Sequence, residues 1–317
     1  MPFVAFRGGV PVGRIAAVVN HAHNEYYKDK TGFFGFFDFI DDIEVASALL
    51  GKAKQEITSR GFTSMRGPYN PTINDECGVL TEGFSSSPFV MMTYNSPYYL
   101  GIYEKLGLQK ARDLAAYYIS GAAVPPERIQ KIVNRVKKST GVVLRELQLK
   151  RLDEELKIIH VLYNETLKRN WGFVPITLED LQFAAADLKA IVDPSMVVIA
   201  EKDGVPMGFS MCIPNINELM WKAKSSKGLM RILKFVWYMK TRRPKEARLT
   251  VLGVLPEFRN KGIGVLFYHQ ALVVGGKRYI GGELSWVDED NDEMTKAVTL
   301  MGARKYKSYR IFETALA

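Results

Sequence analysis

The densest group of residues suited to holding an anion is Arg259-Asn260-Lys261-Gly262-Ile263-Gly264. Gly262 and Gly264 let the backbone come close to a ligand and aim successive N–H groups at it. Arg259 and Lys261 add full charges suited to phosphate oxygens. The loop follows an apolar run at 249–254 and the turn Leu255-Pro256-Glu257-Phe258, and it opens a helix at 264–274. The positive end of that helix dipole would face the same ligand. A Gly-x-Gly pair alone also fits a plain turn, so the strand before it and the helix after it carry the reading. Carboxylates placed to act as a general base are few. Glu283 opens the strand expected at 282–287 and Asp288 follows it; both also fit a structural or solvated acid, and a water chain could take the proton instead.

The elements that must position these residues follow from periodicity and breakers. In the second half, a strand is expected at 142–149, helices at 152–168 and 178–191, and a hairpin of 196–200 with 207–213 around Lys202-Asp203-Gly204-Val205. The strand at 248–254, the loop, the helix and the strand at 282–287 come next. A helix at 291–301 ended by Gly302 and a strand at 305–312 close the chain. This order is mixed α/β with one helical crossover in its middle.

The run Val254-Leu255-Pro256-Glu257-Phe258-Arg259-Asn260-Lys261-Gly262-Ile263-Gly264 resembles the acyl-CoA loop of the GNAT superfamily of N-acyltransferases, an Arg/Gln-x-x-Gly-x-Gly/Ala pattern after a strand. The resemblance runs from about Gly141 to Ala317 and includes the closing Asn-helix-Gly-strand unit. It implies that Arg259, Asn260, Lys261, Gly262, Ile263 and Gly264 bind the CoA pyrophosphate, and that the backbone of Gly253, Val254 and Leu255 pairs with the pantetheine arm. It also implies a CoA contact for Asn291, acyl-CoA as co-substrate and no metal. The region joining the first two helices usually covers the acceptor in this superfamily. Here it carries Tyr163, Asn164, Asn170, Trp171 and Phe173, aromatics that packing alone would also explain. Two expected groups are missing: Val298 stands where many members have a tyrosine, and the strand at 248–254 has no carboxylate. His269, on the helix after the loop, reads as a core or surface histidine.

The first half reads as an altered copy of the second. Strands are expected at 3–6, 12–19, 32–39, 62–66 and 114–119, with helices at 43–59 and 98–106. Asn95 to Gly107 parallels Asn291 to Gly302 as an Asn-helix-Gly unit followed by a lysine-containing strand. Where the second half has its glycine loop, the first has Asp41-Asp42-Ile43-Glu44, whose acids repel pyrophosphate. The expected division is a degenerate, truncated domain at 1–120, a linker helix at 121–140 around Val124-Pro125-Pro126, and an acyl-CoA-binding domain at 141–317. The fold class is α/β, two tandem GNAT-like mixed-sheet domains.

Composition sets the remaining bounds. The 317 residues suffice for two domains, and 47% hydrophobic with 24% charged residues describes a folded chain. No apolar run is long enough to span a bilayer, and the N-terminus lacks the features of a secretory signal. Cys77 and Cys212 fall in different halves, which argues against a disulfide scaffold and for the cytoplasm. His21 and His23 have no further ligands nearby to complete a metal site.

The net charge of +9 is concentrated: residues 217–245 hold nine Lys or Arg and one acid, a local balance of +8. Leu229, Ile232, Leu233, Val236 and Met239 follow helical spacing beside Trp237 and Tyr238, with Lys227, Arg231 and Lys234 as a basic stripe. A basic amphipathic helix of this kind is a membrane-surface pattern, in which anionic headgroups reward each cation by on the order of 1 kcal/mol. A solvated basic rim would give the same spacing. A nucleic-acid patch fits less well, because the stacking platforms of RNA modules are absent.

Tandem copies with this insert resemble bacterial GNAT-like acyltransferases that act on lipids, bacterial ceramide synthases among them. The resemblance implies acyl transfer to a primary amine, as a small molecule or a lipid on the inner face of the membrane. Two alternatives remain open at the level of sequence. One is a CoA-binding regulatory protein without catalysis, and the other is a Fem-type aminoacyl-tRNA-dependent transferase, which would not need the glycine loop.

Overall fold

The computed structural model describes residues 1–316. In chain order its elements are β1 (Pro2–Arg7), β2 (Val10–Val18), α1 (His21–Tyr27), β3 (Thr31–Phe39), α2 (Ile43–Ser59), β4 (Ser64–Gly67), β5 (Tyr69–Asn70), β6 (Glu76–Cys77), β7 (Val79–Glu82), α3 (Tyr98–Lys105) and β8 (Gln109–Ser120). They continue with α4 (Glu127–Thr140), β9 (Val143–Glu146), α5 (Leu152–Leu167), α6 (Leu178–Leu188), β10 (Val197–Lys202), β11 (Val205–Pro214), α7 (Asn217–Ala223) and α8 (Gly228–Thr241). The last are β12 (Glu246–Val254), α9 (Ile263–Gly275), β13 (Gly281–Asp288), α10 (Asp292–Leu300) and β14 (Arg304–Ala315). Among the described residues, no helix is long and apolar enough to cross a membrane.

The chain forms two compact units. Unit 1 holds Met1–Ala115, Gly172–Val174 and the chain from Tyr306 onward; unit 2 holds Ala116–Trp171 and Pro175–Lys305. This departs from a division at 120 and 140 in two ways. Helix α4 is part of unit 2 because Ile129, Val133 and Val136 bury one of its faces. The end of the last strand belongs to unit 1, since β14 pairs antiparallel with β4 from Phe312↔Gly67 to Ala315↔Ser64.

In unit 1, β1 and β2 form a hairpin, β2 pairs antiparallel with β3, and β3 pairs parallel with β4 across α2. Helix α2 forms where the sequence places it. Asp42 accepts from the N–H groups of Glu44 and Val45, and Val45, Leu49, Ala53 and Ile57 turn one stripe inward. That stripe meets an aromatic core in which Phe39 stacks on Tyr99 at 4.4 Å and Phe312 lies edge-on to Tyr103 at 5.1 Å. His23 is buried beside Phe33, whereas His21 is exposed.

In unit 2 the strand order is β9-β10-β11-β12-β13, with the Ala116–Ser120 end of β8 next to β13. The hairpin β10–β11 matches β1–β2 in detail. Register shifts fall at Ala200/Glu201 and at Ala5/Phe6, and Gly208 and Pro206 take the places of Gly13 and Pro11. Again the second strand of the hairpin pairs antiparallel with the next, which then pairs parallel across one helix, β12–α9–β13. The two halves are therefore copies in topology. Their closing strands differ in membership, because part of β14 lies in unit 1 and part of β8 in unit 2.

Phe312 lies in the unit 1 core although it is the sixth residue from the end of the chain. Phe312→Ala is expected to lower stability by about 3–5 kcal/mol, measured by urea unfolding. It should also open cleavage sites between residues 1 and 115 in limited proteolysis.

Candidate acyl-CoA site

The site is built where β12 leaves β13. Their parallel ladder runs from Glu246↔Gly281 to Leu249↔Leu284, while β12 continues to Val254 and β13 to Asp288. At the same point β12 carries a bulge. Its register with β11 jumps from Met211↔Val251 to Cys212↔Leu249, so Thr250 is the extra residue, and its hydroxyl donates to the carbonyl of Met211 at 3.1 Å. A bulge reverses the alternation of side chains. Leu249 accordingly lines a small cavity against α9, and Val251 packs with the cluster of Ile159, Leu162 and Phe209 beneath α5. The β12 backbone beyond Leu249 is left with one edge on β11 and the other facing the gap.

Arg248, Ser285 and Glu283 fasten the closed end of this gap. Arg248 Nε donates to Ser285 Oγ at 2.8 Å, and Ser285 Oγ donates to Glu283 Oε1 at 2.6 Å. Arg248 Nε and Glu283 Oε1 are 3.7 Å apart, with side chains 4% and 0% exposed. Glu283 is therefore held inside an ion-paired cluster that joins the two strands. Asp288 is committed to the turn into α10, accepting from the Asp290 N–H at 2.9 Å. Asn291 caps α10 by accepting from the Met294 N–H at 3.0 Å, and Val298 is fully buried.

At the open end, Pro256–Lys261 forms a turn of 3-10 helix and Gly262, with φ of 76°, reverses the chain into α9. Only glycine takes that conformation without strain, and a Cβ there would also press on Val136 at 2.8 Å. Helix α9 starts with no side-chain cap, unlike α2, α6 and α10. Its first N–H groups are donors of the kind that anions satisfy. Gly264 faces open space, with no atom within 4 Å of where a Cβ would stand.

Of the loop cations, Lys261 is exposed, its ammonium 4.7 Å over the Phe258 ring. Arg259 is half-buried and points back into the protein, donating to the carbonyls of Thr166 at 2.8 Å and Val254 at 3.3 Å. It ties the loop to α5 and to the end of β12. No spacing or motif points to its partner Thr166, which also sets the spacing at Gly253: a Cβ on Gly253 would lie 2.0 Å from the Thr166 hydroxyl.

The expected acceptor residues separate. Asn164 holds the following loop by pairing both sides of its amide with the Ile176 backbone, at 2.9 and 3.0 Å, and His160 reaches the same carbonyl at 2.8 Å. Tyr163 and Trp171 are half-buried in unit 2 and Asn170 is exposed. Phe173 is not an exposed acceptor contact. It is buried in unit 1, edge-on to Tyr26 at 5.9 Å, because Gly172–Val174 packs there. His269 bonds to Gln130 of α4 at 2.9 Å. The cavity behind β12 and β13, about 70 Å³, has Cys212, Leu249, Tyr268 and Glu283 among its walls. Burial pushes the Cys212 thiol up to about 12, so it is protonated at neutral pH and is no nucleophile.

Comparison with known proteins agrees with this architecture. The profile of the Acetyltransferase (GNAT) family matches residues 158–302. Protein YghO of Escherichia coli K12 is 34% identical over 98% of this chain and 81% of its own length. The bacterial ceramide synthase of Caulobacter vibrioides is 34% identical over 99% of this chain and 83% of its own length. Among solved structures, a tandem GNAT protein from the clavulanic acid biosynthesis pathway aligns with a TM-score of 0.56 at 12% identity, covering 100% of this chain and 82% of the other, a likeness of fold.

Two substitutions separate scaffold from ligand contacts. Gly264→Leu projects into open space, so the unliganded melting temperature should hold or rise while affinity for CoA in calorimetry falls at least tenfold. Glu283→Gln leaves Arg248 buried without its carboxylate and should cost about 3–5 kcal/mol of stability in denaturant unfolding. Full stability with a collapsed turnover rate would instead mark Glu283 as the base.

Proposed function

The chain belongs to the GNAT family of acetyltransferases, and on that premise we propose that it moves a long acyl chain from acyl-CoA to the primary amine of a lipid or other long-chain acceptor. Acyltransfer itself, with acyl-CoA as donor, comes with the family. Chain length, acceptor and residue roles are our reading. The observation that carries the donor site is the combination at the end of β12: an uncapped α9 N-terminus, an open position at Gly264, and a strand edge turned to a gap.

In this reading the N–H groups of Gly262, Ile263 and Gly264, with Asn260 and Lys261, hold the pyrophosphate, and Arg259 positions the loop from below. The backbone of Gly253, Val254 and Leu255 pairs with the pantetheine arm, and Asn291 meets CoA through the amide nitrogen that its cap leaves over. Acyl-CoA supplies a thioester carbonyl; the amine nitrogen adds to it to form the C–N bond, then the C–S bond breaks and CoA leaves as a thiolate that takes a proton from water. Strand-edge N–H groups stabilise the oxyanion between those events. Tyr163, Asn170 and Trp171 line the acceptor side and Asn164 shapes its loop. Glu283 positions β12 against β13, and water accepts the amine proton.

Two features support a lipid amine. The relative from Caulobacter is named a ceramide synthase, and the cationic segment 217–245 suits an anionic surface on the inner face of the membrane. One observation favours a second reading, CoA binding without catalysis. Val298 fills the position of the usual tyrosine with a buried isopropyl side chain, and β12 carries no acid beyond its first residue, Glu246.

A ligand that binds only the native state stabilises it, by about 2.7 kcal/mol at a hundred times its Kd. Melting temperature should therefore rise with acyl-CoAs and rise most with long chains. Incubation with a long-chain primary amine should release free CoA thiol, detected with a thiol reagent, and yield an amide by mass spectrometry. A thermal shift without thiol release would establish the second reading. No shift with any acyl-CoA would exclude both.

A further inference from the structure

Helix α8 exposes the wrong face for a helix of a water-facing surface. Leu229, Met230, Ile232, Leu233, Val236 and Trp237 are each between 44% and 69% exposed, and none of its residues is buried. At 100° per residue these six side chains fill an arc of about 160°, with the exposed Lys240 on the same side in the last turn. The opposite side, with Lys234, Phe235, Tyr238 and Met239, is the half-buried one. There Lys234 Nζ reaches Ser225 Oγ at 2.9 Å, and the Arg242 guanidinium lies 4.9 Å over the Tyr238 ring. Helix α7 anchors the pair through Leu219 and Ala223, both buried, yet adds Met220 and Trp221 to the exposed apolar surface. The Glu218 carboxylate accepts from the N–H groups of Lys245 and Glu246 and so clasps the two ends of the insert together.

Charge identifies the occupant. The insert carries nine cations against one acid, and that acid is taken up by the clasp. A contiguous apolar arc marks a site of association, and cations around it select an anionic partner with an apolar interior. We propose that α8 is an interfacial anchor whose outward arc enters the acyl region of an anionic bilayer while the exposed Lys227, Lys240 and Arg243, at the two ends of the helix, meet the headgroups.

Topology gives the anchor a direction. The insert precedes the first residue of β12 and the pyrophosphate loop follows its last, and nine residues of strand span about 30 Å. A bilayer held at α8 meets the end of β12 remote from the CoA phosphates, which keeps that polyanion away from the anionic surface. An acceptor drawn from the bilayer would approach by the same end. That consequence rests on the acyl-transfer reading; the docking does not.

The test is flotation of the full-length protein, without CoA, with phosphatidylcholine vesicles that contain or lack phosphatidylglycerol. Wild type is expected to be enriched at least tenfold on the anionic vesicles. L233S/W237S changes only exposed positions, should keep its melting temperature, and should lose that enrichment. K227Q/K240Q/R243Q should weaken binding several-fold at low salt and reduce its salt dependence. Absence of wild type from anionic vesicles at low salt, or retention of L233S/W237S at the wild-type level, overturns the proposal. A concentration-dependent dimer abolished by L233S/W237S would assign the face to a second copy, and binding to RNA rather than vesicles would assign the charge elsewhere. Either result also overturns it.

Discussion

The separation of β12 from β13 is the constraint on which the rest of unit 2 depends. Two parallel strands that stay paired offer no backbone to a ligand. Two that part entirely cannot be held by a single helix. The Arg248–Ser285–Glu283 cluster joins the strands just before they part, and the Thr250 bulge turns β12 two residues after Arg248. The bulge carries a second consequence. By reversing side-chain alternation it lets one short strand face α9 before Thr250 and α5 after it, so both helices find apolar partners on β12. The buried ion pair contributes little net stability of its own, since desolvation offsets most of its attraction. Its effect is to fix where the strands separate.

Unit 1 repeats this frame but caps its helix N-terminus with a side chain. In both units a hairpin strand leads to a strand that pairs parallel across one helix, and β3, like β12, runs on past its parallel ladder. At α2 the first N–H groups are taken by the Asp42 carboxylate, which is in turn paired with Arg7 at 2.8 Å. The bond from Arg7 holds this carboxyl below its ordinary range, so the cap is charged at neutral pH. A helix end that already carries its own anion has nothing to offer a phosphate. The same physics that opens one copy closes the other.

Helix α8 shows how a local pattern can mislead about direction. An amphipathic stripe is ordinarily the inward face of a surface helix, because burial of each large apolar side chain contributes about 1.5–3 kcal/mol. Here the side with Lys234, Phe235, Tyr238 and Met239 is half-buried and the side with Leu229, Ile232, Leu233, Val236 and Trp237 faces outward. The folded chain leaves that stabilisation unused in water, which is a cost that a bilayer can remove.

Much of the local structure was legible in the sequence. Helix α2 falls on the expected 43–59, where Val45, Leu49, Ala53 and Ile57 keep helical spacing. The strand–glycine loop–helix unit was equally plain, since Gly262 needs its left-handed conformation whatever surrounds it. Roles that depend on a distant partner were not. Arg259 was placed among the phosphate ligands by charge and spacing, yet the carbonyl of Thr166, 93 residues earlier, takes its guanidinium. Phe173 stood in an acceptor loop by position, but a core in the other unit claims it. Glu283 could be seen as an acid near the cleft, and only the fold brought Arg248 and Ser285 around it. Sequence determines which backbone conformations and charges are present at the site, because those are local properties. Tertiary structure decided which of them are already spent on the protein itself, because a hydrogen bond or a buried contact requires a second residue that spacing alone cannot locate.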